Sequence, residues 1–477
     1  MIEAKKIARN TLMVFISQVI YYILTFFTVI YTARYLGAEG FGILSLALSI
    51  TSIFAMFIDM GLSTYMVREV SRDKSKAETF IPNIALMRLI LSLITVFLII
   101  LMVNLINYSG TVKLVIYILT VSIIINGISG IFSYVFQANE KMEFLAVSTI
   151  ILSGSMLLGT LLGVYSQLNL FYFAYLYIIS NGLVFIFILT SYIWKFHIPH
   201  IKINFNIWKP TLREAWPFGV AAMSGLLYTY IDSILLSIFQ NSTVVGWYSA
   251  AYRLMLVVLF IPITLNTVLF PVMSPLFKSS TESLKLINER YFKYMIIIGL
   301  PLGLGTTFLA EKIILLVYGA DYTNSIISLQ ILIWTMVFTF IGASFVQVLQ
   351  SINKQLIITK IAVVCVFINI ILNLILIPGF SFVGASVATV LTEIVLVGYT
   401  IYATVKLGYG ISELNVKKDL LKVLMASALM SLFIIYFNFL DLYLLVILSI
   451  LLYLAVIILL KVFDETDKLI IRNILKR

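Results

Sequence analysis

One cysteine and two histidines are spread over 477 residues. A disulfide needs two cysteines, so Cys365 cannot form one within the chain, and it carries no information about redox compartment. His197 and His200 stand in a basic stretch without carboxylate neighbours, and no cluster of His, Cys and carboxylates has metal-ligand spacing, which excludes a metal enzyme of the usual kinds. No G-x-x-x-x-G-K-[ST] loop occurs, so nucleotide hydrolysis by a P-loop is excluded as well. Charge is equally scarce. Charged residues make up 11% of the chain against 62% hydrophobic, far outside the range of a soluble domain.

What is present is a series of long apolar runs. A membrane-spanning helix needs about 20 such residues. Fourteen runs qualify, at about 11–34, 41–66, 82–106, 112–136, 144–165, 169–194, 212–239, 244–270, 291–310, 323–349, 356–377, 381–405, 418–439 and 442–461. The connections are short and leave no room for a sizeable soluble domain. The run after Met1 is too long for a signal-peptide core and lacks a small-x-small cleavage site, so it reads as the first span. With the spans cut this way, all of the 32 Lys and Arg but five fall on one side. Arg34, Lys113 and Lys312 fall on the other side, and Arg88 and Arg253 lie inside spans. Basic residues near span ends are retained in the cytoplasm, so the asymmetry fixes orientation and puts both termini inside. It also checks the cutting, because one missed span would invert every later loop. The net charge of +11 does not indicate nucleic acid, since it is spread over every cytoplasmic loop.

An internal repeat organises the spans. Gly42-Ile43-Leu44-Ser45 opens the second span, and Gly246-Trp247-Tyr248-Ser249 opens the eighth, 204 residues later. Phe136-Gln137-Ala138-Asn139-Glu140-Lys141 closes the fourth, and Leu349-Gln350-Ser351-Ile352-Asn353-Lys354 closes the tenth. Spans 1–6 and 7–12 therefore read as copies. Six is even, so both copies insert the same way up, with a substrate path expected between them. The expected organisation is a six-helix lobe over about 1–198, a cytoplasmic linker at 199–211 carrying Pro199 and Pro210, a second lobe over 212–410, and an added helix pair with a tail over 411–477.

Polar residues within spans are the candidate site. Gln18, Tyr21, Thr25, Thr28 and Thr32 follow helical spacing on one face of the first span; shifted by 204, Thr25 meets Thr229 and Thr28 meets Asp232. Such a face must turn toward protein or water, so it lines a cavity or packs helices by hydrogen bonding. Charges inside spans are costly and usually functional. Asp59 and Arg88 both lie about 10 Å from the inner surface, at 1.5 Å per residue. Asp232 and Arg253 match in depth from the outer surface. Each pair either neutralises itself and locks helices, or presents an arginine to an anionic substrate, for which the planar guanidinium is suited. Glu393 lies in mid-span without an obvious basic partner at its depth. It is either a protonated buried carboxyl or a coupling site for a proton or cation. Arg68 and Arg290, near span ends, are candidates for a cytoplasmic mouth, with snorkelling as the alternative.

The string Ala33-Arg34-Tyr35-Leu36-Gly37-Ala38-Glu39-Gly40-Phe41-Gly42 resembles a signature of the polysaccharide-repeat flippases, in the superfamily that also holds multidrug and toxin extruders (MATE/MOP). Further matches are Asp59-Met60-Gly61-Leu62-Ser63, Arg68-Glu69, Gly246 to Leu254, and Gly384-Ala385-Ser386-Val387-Ala388-Thr389. The resemblance covers essentially the whole chain. It implies an all-α integral membrane protein of two pseudo-symmetric six-helix lobes plus a C-terminal pair, acting as a monomer in the cell membrane and not as an enzyme. It implies a polyprenyl-(pyro)phosphate-linked oligosaccharide as substrate, moved from the inner to the outer leaflet by alternating access without a cofactor, with coupling to a proton or sodium gradient or to the membrane potential open. It also places Arg253 in the cavity, with a weaker carry-over for Arg88 and Asp59. Residues 10–33 contain no charge, unlike the acid-bearing first span of multidrug extruders or the arginine-bearing one of peptidoglycan-precursor flippases. An ion-coupled exporter of small amphipathic compounds is the alternative.

Overall fold

The computed structural model describes residues 2–196, 202–411, 413–464 and 467. The described part is helical throughout, because lipid offers no partner for backbone N–H and C=O groups and a helix satisfies them internally. Fourteen helices follow in order: α1 (Ile2–Asp59), α2 (Leu62–Arg72), α3 (Lys76–Leu105), α4 (Gly110–Ala138), α5 (Met142–Tyr165), α6 (Leu170–Phe196), α7 (Trp208–Phe239), α8 (Ser242–Val257), α9 (Phe260–Ser279), α10 (Thr281–Val317), α11 (Ser325–Ser351), α12 (Gln355–Lys406), α13 (Glu413–Tyr436) and α14 (Leu442–Leu459).

Two of these helices are too long for one crossing. At 1.5 Å per residue α1 and α12 each exceed about 75 Å, more than twice the roughly 30 Å hydrocarbon core. Each is broken once: α1 at Gly37 (φ 65°, ψ −179°) and α12 at Ser381 (φ 53°, ψ −136°). A positive φ is cheap for glycine and strained for serine. Each broken helix therefore supplies two crossings. Twelve helical stretches are long and apolar enough to span, and counting those two twice gives the fourteen spans read from the sequence. The eighth span is divided between α8 and α9, with the interruption at Val258 and Leu259.

The chain forms two compact units, Met1–Gly246 and Trp247–Arg477. In the first, α1 packs on α5, α4, α7 and α3, α4 and α5 pack on α6, and α2 rests on α4 and α7. Close packing relies on small residues, as expected where lipid tails are as apolar as leucine and contact alone must hold helices together. A methyl group on Gly61 would lie 2.2 Å from the Ala215 carbonyl oxygen, and one on Gly219 would lie 2.8 Å from the Met60 carbonyl carbon. There the turn between α1 and α2 touches α7 backbone to backbone. Leu93, Phe97 and Leu101 of α3 are exposed at four-residue spacing, forming a face for acyl chains.

In the second unit α10 and α11 pack along one another, α11 also packs on α12, and α13 packs on α10 and α14. The buried Tyr453 of α14 donates its hydroxyl to the Ile297 carbonyl at 2.6 Å, fixing the added pair to α10.

Candidate substrate path

The polar face of α1 changes along its length. Gln18 is exposed, Tyr21 and Thr25 are half-buried, and Thr28 and Thr32 are buried. The Thr28 hydroxyl donates to the Leu24 carbonyl one turn back at 2.8 Å, so it is satisfied within its own helix. On α7, Thr229 is half-buried and likewise donates to Gly225 at 2.9 Å, whereas Asp232 is fully buried.

Asp59 and Arg88, matched in depth by the sequence, form an ion pair. Asp59 ends α1 beside a tight turn in which Met60 and Gly61 both take positive φ. One of its carboxylate oxygens accepts from Gly61 N–H at 3.1 Å and from the Ser63 hydroxyl at 2.8 Å, and the other accepts from Ser63 N–H at 3.2 Å. The same carboxylate therefore ties the start of α2 and takes Arg88 from α3. Arg88 is only 2% exposed; its Nη1 donates to the Gly127 carbonyl on α4 at 2.6 Å, and its guanidinium lies 5.4 Å from the Tyr134 ring centre. The two charges neutralise each other within the protein. Three helices meet on one guanidinium that has little surface left to offer.

Arg253 sits half-buried on α8. It is close enough to act on Tyr318 at the end of α10: burial pushes the Tyr318 hydroxyl well above its ordinary value, and the positive charge of Arg253 pulls against that rise. Asp232 belongs to the first compact unit and Arg253 to the second. Glu393, on the second half of α12, is buried and accepts the Thr339 hydroxyl of α11 at 2.7 Å.

Both arginines expected at a cytoplasmic mouth are engaged by carboxylates. Arg68 on α2 pairs with Glu214 on α7, and its Nε donates to Glu69 at 3.2 Å. Glu69 in turn receives Lys76 at 2.7 Å and Arg72 at 3.2 Å. The Lys76 bond, then the charges of Lys76 and Arg68, hold the Glu69 carboxyl below the usual glutamate range against a burial that raises it. Arg290 on α10 pairs with Asp464 and, at 3.1 Å, with Asp467. Asp467 is fully buried and also receives Lys293 at 2.7 Å and the Tyr294 hydroxyl at 2.7 Å. Asp464 and Asp467 accept each other's backbone N–H, a reciprocal cap that fixes the chain beyond α14.

Three groupings went unread in the sequence. Buried Asn83 on α3 donates to the carbonyls of Thr79 and Lys202 and accepts from Asn204 N–H and the Trp208 indole, clamping the chain that leads into α7. Asn126 of α4 donates to Asn181 of α6, which donates to Ser122 at 2.9 Å. The third is the set of carboxylates on Arg290 and Lys293. Neutral amides carry no orientation signal, and Asp467 lies 174 residues from Lys293. His197, Pro199 and His200 lie outside the described residues.

A chain of fourteen crossings with polar and charged residues inside them is a multi-pass membrane protein of transporter type. Solved structures share this fold. A lipid II flippase in an inward closed conformation superimposes with a TM-score of 0.77 at 20% identity, covering 94% of this chain and 97% of the other. An inward-facing multidrug resistance MATE family transporter of the MOP superfamily gives 0.62 at 16% identity over 81% of this chain and 95% of the other. The sequence pattern of the family described as polysaccharide biosynthesis protein matches residues 7–277, and the chain belongs to that family. A probable low-salt glycan biosynthesis flippase of Haloferax volcanii is 24% identical over 394 residues, 81% of each chain. A capsular polysaccharide biosynthesis protein of Staphylococcus aureus is 24% identical over 412 residues, 82% of this chain and 98% of its own.

Proposed function

We propose that the chain moves a polyprenyl-(pyro)phosphate-linked oligosaccharide from the inner to the outer leaflet by alternating access. The observation that carries this reading is similarity over about four-fifths of the chain to proteins named as a glycan flippase and a capsular polysaccharide biosynthesis protein, on a fold shared with a lipid II flippase. The geometry is in keeping with it. Described connections such as Ile106–Ser109 and Ser166–Asn169 are turns of a few residues, too small to house a glycosyltransferase site.

In this reading the sugar and phosphate enter between a lobe at 1–198 and a lobe at 212–410, joined at 199–211, while the polyprenyl tail stays in lipid. The added pair at 411–477 lies outside the repeat. The protein works as a monomer in the cell membrane with both termini in the cytoplasm. The half-buried arginine of α8, Arg253, meets the phosphate; the α1 face from Gln18 through Tyr21, Thr25 and Thr28, together with Asp232, lines the path. Asp59 and Arg88 brace it. Glu393, buried against Thr339, takes up a proton or sodium ion if transport is coupled to a gradient.

The test is deletion of the gene followed by identification of polyprenyl-linked glycans by leaflet. Accumulation of one such glycan facing the cytoplasm, reversed by the wild-type gene, supports the reading. An unchanged glycolipid profile with altered export of small amphipathic compounds would replace it with the exporter reading.

A further inference from the structure

Arg68 is held in a way that suits exchange of its anionic partner. Its Nε is committed to Glu69, and its guanidinium lies 5.2 Å from the Tyr65 ring centre and 5.8 Å from that of Phe218. The Glu69 and Tyr65 contacts, both within α2, fix the side chain without Glu214. Glu69 is only 12% exposed and already serves Lys76 and Arg72. Glu214 is 55% exposed, and among the ion pairs of the described residues Arg68 is its partner. Of the two carboxylates on Arg68, Glu214 is therefore the replaceable one. Exposed ion pairs contribute little, about 0.2–1 kcal/mol.

The pair also marks a mechanical position. It joins α2 to α7 beside the place where the turn before α2 meets the α7 backbone, at Gly61 and Gly219. Those glycines seat the turn on the helix with no side chain between them. Leu62, Tyr65 and Met66 of α2 share a buried core there with Trp208, Leu212 and Ala215 of α7, so the ion pair is the exposed edge of a packed seam.

We propose that Glu214 is a resident stand-in for the phosphate of the substrate. A lipid-linked phosphate or pyrophosphate reaching the cytoplasmic face displaces the Glu214 carboxylate from Arg68. One charge-assisted hydrogen bond replaces another, so the exchange costs little, and the planar fork of arginine accepts either carboxylate or phosphate. Arg290 has no such role: two carboxylates hold it, one of them fully buried. The proposal rests on the flippase reading and adds to it the residue that first meets the phosphate, together with the residue that guards it.

The test is binding of undecaprenyl phosphate by the full chain in phosphatidylcholine nanodiscs. Glu214→Gln removes the competitor and is expected to tighten binding about two- to fivefold, the worth of an exposed ion pair. A tightening cannot arise from misfolding. Arg68→Gln is expected to weaken binding about tenfold or more, the worth of a hydrogen bond to a charged group, and Glu214→Gln adds nothing in that background. Unchanged or weaker binding by Glu214→Gln, with the wild type binding normally, would overturn the exchange and leave the flippase reading standing. No binding by the wild type would overturn both. Displacement by inorganic pyrophosphate at equal concentration would overturn the lipid headgroup as the ligand and assign Arg68 to free phosphate.

Discussion

The pairing of Asp59 with Arg88 predicts an asymmetric response to mutation. Arg88 is 2% exposed and Asp59 is the carboxylate partner it has within the described residues; a guanidinium keeps its charge in proteins. Removing the carboxylate strands a buried cation, which costs about 3–5 kcal/mol. Removing Arg88 strands an anion that is 26% exposed and keeps three donors on Gly61 and Ser63. Arg88→Met is therefore expected at or below the lower end of that range and Asp59→Asn above that lower end. Asp59→Asn with Arg88→Met removes both charges while keeping an acceptor for the turn. It is expected to cost at least about 1 kcal/mol less than the sum of the single changes. The assay is unfolding of the detergent-solubilised protein by increasing SDS, followed by tryptophan fluorescence, with glycan export measured in parallel. Export by the double variant marks the pair as a lock, whereas a stable double variant that does not export puts Arg88 on the substrate. Single costs that simply add would refute the reasoning, because they would mean that the two charges do not sense each other.

Arg253→Ala is expected to abolish surface glycan while the protein reaches the membrane at normal levels, as judged by immunoblot of membrane fractions; normal glycan would take Arg253 out of the path. Glu393→Gln is expected to remove any dependence of export on a proton or sodium gradient, and an unchanged dependence in that variant would end the coupling role. Asn83→Ala removes four hydrogen bonds, three of them to Lys202, Asn204 and Trp208, so limited proteolysis is expected to cut the segment 202–208 at least several times faster, at a stability cost of about 1–3 kcal/mol. Glu69 has its carboxyl pKa depressed in the folded protein, so its stabilising contribution is complete above its ordinary value of 4.5 and lost as pH falls below it. Thermal stability of the wild type should drop on acidification below that value, and Glu69→Gln should flatten part of the drop.

The spans, their number and the Asp59–Arg88 pair were legible because each depends on distance along the chain. Consecutive spans joined by a short loop run antiparallel, so residues counted equally far from that loop lie at one depth. That reasoning reached Arg88 from Asp59. It could not reach Glu214 from Arg68, 146 residues apart, nor Asp467 from Lys293, because packing brings those residues together and spacing does not. It also assigned Arg68 and Arg290 the same role, although the carboxylates around them differ sharply in exposure. Asn83 and Asn181 escaped notice for another reason. A neutral amide in a span looks like any small polar residue until its hydrogen bonds are seen, four on Asn83 and three on Asn181. The sequence pattern places short connections at 35–40 and 378–380, whereas the backbone turns at the single residues Gly37 and Ser381.

Carriage of a phosphorylated glycolipid across the bilayer by this chain can be measured with purified protein in sealed liposomes. A short polyprenyl-pyrophosphate oligosaccharide is placed in the inner leaflet, and its sugar is probed from outside with an enzyme that cannot cross. The sugar is expected to become accessible with wild-type protein and to stay protected with Arg253→Ala. Equal protection in both, in vesicles where the wild type is folded and correctly inserted, would contradict such carriage.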